Sequence, residues 1–225
     1  MTKEPKILFL DIEASNLSAS MGYTLAIGYK WAHEKCAKVM TLADYPGKKS
    51  TDDKKLLRAF EPIFNSADLV VHHFGDYYDV PFLQTRRLIH KMTPLDRIAT
   101  VDTWRIAKKR LKFHSNRLDA ILKALGCPFA KTALDGNIWI DASAGDRRAL
   151  RYVANHCYWD VMVLEWVYNH IKVVWDQHPA VYGKEKCNAC GHDKFYSHGI
   201  RVTIGNKYRR LVCQKCGWPK KGKLI

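Results

Sequence analysis

Residues 7–10, Ile-Leu-Phe-Leu, run straight into Asp11-Ile12-Glu13. The apolar run reads as a buried β-strand, and because side chains alternate across a strand, Asp11 and Glu13 fall on one face. Two like charges at the end of a buried strand repel one another and lose hydration. A cation between them removes both costs. The pair therefore asks the rest of the chain for further ligands at the end of its first strand.

The pattern along the chain suggests where those ligands come from. Strands are expected at 6–12, 23–31 and 37–43, with His33-Glu34-Lys35 as a hairpin turn, which makes an antiparallel meander. Thr51 is expected to cap a helix reaching about Asn65, with Leu56, Leu57, Phe60 and Phe64 on one face. Residues 68–73 read as a fourth strand and 98–103 as a fifth, and Pro81 suits the first turn of a helix running to about Lys91. Ser115 is expected to cap a helix that Gly126 and Pro128 stop, and 145–175 read as one long helix. Strands followed by helices alternating with strands predict an α/β fold with a mixed sheet.

Two further acids stand at telling places. Asp79 lies where a loop enters a helix after the fourth strand, a position that also suits capping. Asp160 sits inside the long helix among Val161, Val163 and Leu164, where a charge is costly without a partner. Asp11, Glu13, Asp79 and Asp160 together offer oxygen ligands to a hard cation such as magnesium or manganese. Two such ions about 3.5–4 Å apart activate a water and steady the leaving oxygen of a phosphodiester.

Four stretches carry a family resemblance: FLDIEAS (9–15), GDYYDVPFL (75–83), SNRLDAILKALG (115–126) and GDRRALRYVANHCYWDV (145–161). In that order, over roughly residues 5–170, they resemble the DEDD 3′–5′ exonucleases of the ribonuclease-H-like superfamily. The resemblance implies a ribonuclease-H-like mixed five-stranded sheet flanked by helices, and two magnesium or manganese ions held by Asp11, Glu13, Asp79 and Asp160. It also implies a 3′ end of single-stranded DNA or RNA as substrate. The third motif departs from both branches of that family. One branch has Tyr four residues before the last Asp and the other has His five residues before it, whereas this chain has His156 and Asn155 there. Residues four apart share a helix face, so His156 and Asp160 can address one site, and an imidazole there is suited to orient or deprotonate the attacking water. Tyr158 points elsewhere on the helix. Phe74 stands where the family often has Asn. Asp102 is expected to be structural, and His72, His73 and Asp76 to flank the site.

Seven cysteines divide into two groups. Cys187, Cys190, Cys213 and Cys216 form two C-x-x-C pairs 22 residues apart, while Cys36, Cys127 and Cys157 are isolated. Two such knuckles suit a tetrahedral zinc site with no ligand position left open, and so a structural zinc. The insert has β-branched and aromatic residues around a Gly-Asn turn, a hairpin, and the whole resembles a zinc ribbon of the kind found in some transposases and other DNA-handling proteins. Lys207, Arg209 and Arg210 are candidates for phosphate, and Tyr208 and Tyr196 for base stacking. A ribbon that docks on its own chain or on another protein is the plainer alternative.

Charge supports a polyanion partner. The net charge is +15, and residues 183–225 hold 11 Lys and Arg against 2 Asp and Glu, while 1–182 hold 26 against 20. Hydrophobic residues make up 47% of the chain, no apolar run approaches the roughly 18 residues of a membrane span, and no secretory signal stands out. A cytoplasmic protein is expected, with a nuclease domain at 1–178 and a β zinc ribbon at 183–225. Its expected activity is two-metal-dependent 3′–5′ exonuclease, with single-stranded DNA favoured over RNA. The alternatives are a structure- or strand-specific endonuclease using the same metals, and an inactive nucleic-acid-binding zinc-ribbon protein.

Overall fold

The first strand, β1 (Ile7–Ala14), is the middle strand of a five-stranded sheet ordered β3-β2-β1-β4-β5. The computed structural model describes residues 4–129 and 135–225. β2 (Thr24–Trp31) and β3 (Lys38–Thr41) extend the sheet antiparallel on one side. β4 (Leu69–His72) and β5 (Ala99–Asp102) run parallel to β1 on the other. The expected meander and mixed sheet are both present.

Alternation along β1 builds two cores. Leu8, Leu10 and Ile12 face α1 (Lys54–Asn65) and α2 (Asp79–Ile89), where they meet Leu56, Leu57, Phe60, Phe64, Phe82 and Leu83. Ile7 and Phe9 face the other way, toward α3 (Thr103–Arg110), α4 (Leu118–Leu125) and α6 (Arg147–Ile171). Asp11 and Glu13 continue the odd-numbered series, so the strand's own periodicity aims both acids at α6.

Several boundaries differ from the sequence expectation for identifiable reasons. Asp53, not Thr51, precedes α1, and its carboxylate is turned inward to accept from the Thr24 N–H at 2.8 Å and from Arg86 at 2.8 and 3.0 Å. Arg117 stands at the N-cap of α4, while Ser115 Oγ accepts the Arg117 N–H at 3.3 Å. Gly126, at φ 70°, ends α4 as expected. The long helix starts at Arg147, because Asp146 accepts the N–H groups of Arg148 and Ala149, and it gives way to a 3₁₀ turn at Lys172–Val174. Both α3 and α5 (Gly136–Ser143) were unforeseen.

A second sheet, β6 (Phe195–Thr203), β7 (Asn206–Cys213) and β8 (Pro219–Leu224), is an antiparallel meander over a small core of Cys187, Ala189, Cys213 and Trp218. It is fastened to the end of α6. The Trp218 indole N–H donates to the Trp175 carbonyl at 2.8 Å, and the Asn188 amide donates to the His178 carbonyl at 2.7 Å. His178 Nδ1 lies 3.0 Å from the Pro179 carbonyl, which can only accept, so Nε2 is left to accept the Tyr168 hydroxyl at 2.7 Å. Among the described residues, no helix is long and apolar enough to cross a membrane.

Candidate active site

Four of the five predicted catalytic side chains meet where β1 passes under α6. Glu13 Oε1 is 4.0 Å from His156 Nε2, and His156 Nε2 is 3.6 Å from Asp160 Oδ2. One nitrogen of His156 and one carboxylate oxygen each of Glu13 and Asp160 all lie within 4.8 Å of one another, a group that could hold a metal ion. One helical turn separates His156 from Asp160, as their spacing of four requires. Asp11 joins them through Cys157, whose Sγ lies 3.5 Å from both the backbone oxygen and Oδ2 of Asp11. Burial pushes the Cys157 thiol up, and the carboxylates of Asp11, Glu13 and Asp160 push it further.

Asp79 approaches β1 along its β4 edge. It is the first residue of α2, and its Oδ1 accepts the backbone N–H of Ile12 at 3.0 Å, between the two acids of β1. Burial raises its carboxyl to about 6, against the opposing pull of His72 and the Ile12 N–H. Burial also lifts the neighbouring Tyr78 hydroxyl to about 12, assisted by Asp79, Glu13 and Asp11. A hard cation would offset the cost of keeping Asp79 ionised in this place, so the donor set fits magnesium or manganese.

Residues that carried no sequence signal complete the site. Trp139 of α5 donates its indole N–H to Glu13 Oε2 at 3.2 Å, and its ring stands at 87° to the His156 imidazole, 5.3 Å between centroids. Gly28 pairs with Asp11 in the β1–β2 ladder, and a Cβ there would come within 2.7 Å of Cys157 Sγ and 2.9 Å of Val161 Cγ2. This glycine is what lets α6 press close enough for His156 and Asp160 to reach β1. Tyr158 does point away, toward Cys36 and Trp159.

Beneath the β4–α2 loop lies a polar buttress. His72 is fully buried, with Nε2 3.2 Å from Asp76 Oδ1 and Nδ1 3.6 Å from Asp102 Oδ2. Arg105 and Thr100 donate to Asp76 at 2.7 and 2.8 Å. Burial alone would raise the Asp76 carboxyl, but His72, Arg105 and Thr100 outweigh it and hold it far below the usual range. Asp102 accepts the N–H groups of Phe74 and Trp104, both at 2.9 Å, capping α3 and tying down the loop that leads to Asp79. His73 is engaged with Thr103 and the Asn116 carbonyl.

Residues 8–172 match the family model of the RNase H superfamily. The chain belongs to this superfamily. No curated protein matches it at a significant level. Among solved structures, it is similar to the family B DNA polymerase from the hyperthermophilic archaeon Pyrobaculum calidifontis, with a TM-score of 0.59 and 16% identity over 76% of this chain. It spans 26% of that polymerase, and at this identity the likeness concerns the fold.

The four paired cysteines lie beyond the segment matched to the RNase H superfamily. Cys187 and Cys216 are 3.6 Å apart at sulfur, Cys190 and Cys213 3.7 Å, and all four sulfurs fall within 4.8 Å of one another. A tetrahedron with metal–sulfur bonds of about 2.3 Å has edges of about 3.8 Å, so the set fits a zinc ion. The two knuckles repeat one turn. Gly191 and Gly217, at φ 73° and 74°, each donate their N–H to the first cysteine of their own pair at 2.8 and 3.0 Å. On β7, alternation sends Lys207 and Arg209 to one face and Tyr208 and Arg210 to the other. The Lys221 ammonium stands 3.5 Å over the Tyr208 ring, and Arg210 Nε donates to the His198 carbonyl at 2.7 Å. The four predicted contact residues therefore divide between two faces of the strand, and Tyr208 has one ring face covered.

Proposed function

We propose that this RNase H-superfamily chain is a metal-dependent nuclease that removes nucleotides from the 3′ end of a single strand, DNA in preference to RNA. The observation that carries the reading is the convergence of Glu13, His156 and Asp160 on one point of β1, where Asp79 grips the intervening Ile12 amide. Bound magnesium or manganese, held by Asp11, Glu13, Asp79 and Asp160, would supply charge for the attacking water and the leaving oxygen.

The chain's own groups divide the remaining work. His156 Nε2 faces Glu13 and Asp160 and is placed to take the proton of the attacking water. The water oxygen bonds to phosphorus, and the bond from phosphorus to the 3′ oxygen of the preceding nucleotide breaks. That oxygen takes a proton from solvent, leaving a nucleoside 5′-monophosphate and a shortened strand. Trp139 fixes both members of the Glu13–His156 pair, through its N–H and its perpendicular ring contact. The ribbon, taken as 183–225, would hold a structural zinc on its four cysteines and engage the strand through its positive charge.

Cleavage of 5′-labelled single-stranded DNA and RNA, with manganese or magnesium, a chelator control and the Asp11→Asn variant, tests this reading. A ladder shortening from the 3′ end and lost in Asp11→Asn is expected. Internal fragments would move the assignment to an endonuclease using the same acids. Intact strands that still shift on a gel would move it to a binding module.

A further inference from the structure

The loop that delivers Asp79 also presents an aromatic surface that the acids do not explain. Phe74 and Tyr77 stack with centroids 5.2 Å apart, and Trp104 from the first turn of α3 meets them edge-on at 5.0 and 5.7 Å. Large rings ordinarily pack inward, yet Phe74 is 41% and Tyr77 58% exposed.

The arrangement is held firmly. Phe74 has φ 68°, a left-handed conformation that residues with a β-carbon rarely adopt. Its N–H is bonded to Asp102, and its carbonyl accepts the N–H groups of Tyr77 and Tyr78 at 3.0 and 3.1 Å. Gly75 lies so close to His72 that a Cβ would come within 2.5 Å of the imidazole. Strain kept in place by surrounding bonds is characteristic of binding surfaces.

The fringe of this surface is positive. The Lys108 ammonium lies 4.6 Å over the Trp104 ring, the next residue, Lys109, is also exposed, and Asp76 is paired with Arg105. Flat exposed rings bordered by cations match a nucleotide: the rings take a base, the ammonium groups a phosphate. A base paired in a duplex has its faces covered by its neighbours, so the match is to an unpaired one.

We propose that Phe74, Tyr77 and Trp104 form a stacking platform for an unpaired base of the nucleic acid strand engaged at the acids, with Lys108 on its phosphate. The proposal rests on the nucleic-acid reading above but not on cleavage. Stacking on aromatic rings is tolerant of base identity, so the platform selects single strands rather than a sequence.

The test is binding by the full-length zinc-loaded chain in calcium, without magnesium or manganese, read by fluorescence anisotropy. Two labelled strands of equal length and charge are compared, oligothymidylate and an abasic deoxyribose-phosphate strand. The wild type is expected to favour oligothymidylate. Tyr77→Ala should weaken oligothymidylate binding at least about fivefold, the lower end for one stacked base, and leave abasic binding unchanged. Tyr77→Phe should restore it. If Tyr77→Ala lowers the melting temperature, Tyr77→Leu, which keeps apolar bulk without a ring, is read in its place. Equal affinity of the wild type for the two strands, or an equal loss on both in the variant, overturns the platform. So does a dimer that Tyr77→Ala splits with strand binding untouched, which would make the rings a contact between copies. A chain that discriminates the strands yet cuts neither DNA nor RNA would overturn the nuclease and leave the platform standing.

Discussion

Asp11 lies directly opposite Gly28 across the β1–β2 ladder, and the space above Gly28 is filled by the Cys157 thiol and the Val161 methyl. The position of α6, and with it that of His156 and Asp160, depends on a missing side chain in another strand. Gly28→Ala is expected to cost about 1–3 kcal/mol of stability through overpacking. Below its melting point the variant should still lose the proposed cleavage activity, because His156 and Asp160 are pushed off β1. Thermal melting and cleavage rate, measured together, check this; an unchanged melting temperature would show that the strand and helix can separate freely.

Trp139→Phe removes one N–H while keeping a ring against His156. Loss of a hydrogen bond to a carboxylate is worth about 1.5–3 kcal/mol. If that loss is felt in the transition state, the rate should fall about ten- to hundredfold with metal affinity reduced as Glu13 loosens. Calorimetric titration with manganese, beside the cleavage rate, distinguishes this from simple unfolding.

The contact between the ribbon and the body should be sensitive to acid. Burial holds His178 at about 4, below the ordinary 6.5, so the unfolded chain binds the proton that the folded chain refuses. Its contribution is complete above about pH 6.5 and is lost as pH falls toward 4, to a total of about 3 kcal/mol. Unfolding by urea at pH 7, 6 and 5 should show this decline, and His178→Gln, which keeps an acceptor for Tyr168 but does not titrate, should flatten it.

Removing the ribbon's metal should be felt in the body. Cys213→Ser is expected to reduce bound zinc from about one equivalent to near none and to expose 183–225 to protease. Because Trp218 bonds to the Trp175 carbonyl and Trp175 belongs to the main core, the melting temperature of the remainder should drop as well. Elemental analysis and limited proteolysis read the two effects separately.

Much of this was legible in local patterns. The apolar run into Asp11 and Glu13, the stripe of Leu56, Leu57, Phe60 and Phe64, and the doubled C-x-x-C all depend on spacing within one element. What escaped depends on contacts between elements. Cys157 reads as an isolated cysteine, since its partner Asp11 is 146 residues away. Trp139 sits in GNIWIDAS, too short to show a helical period, and its partner Glu13 lies in β1. β8 is PKKGKL, an edge strand without apolar alternation, and nothing in it marks a strand until β7 is beside it. Thr51 suits a cap by residue type alone, but the N-cap position falls to Asp53, whose carboxylate serves Thr24 and Arg86 across the fold.

The unbroken helix α6 is also a measuring rod. Asp160 and Ile171 are eleven residues apart on it, which at 1.5 Å per residue is about 17 Å. The ribbon is fastened just past that end, through Trp175 and His178. On the proposed reading, a stacked strand advancing about 3.4 Å per nucleotide would need about five nucleotides to run from a phosphate at the acids to the end of α6 where the ribbon is fastened. A strand shorter than this would engage the acids without coming to the ribbon, so under the proposed function chain length becomes a quantity that the molecule can sense.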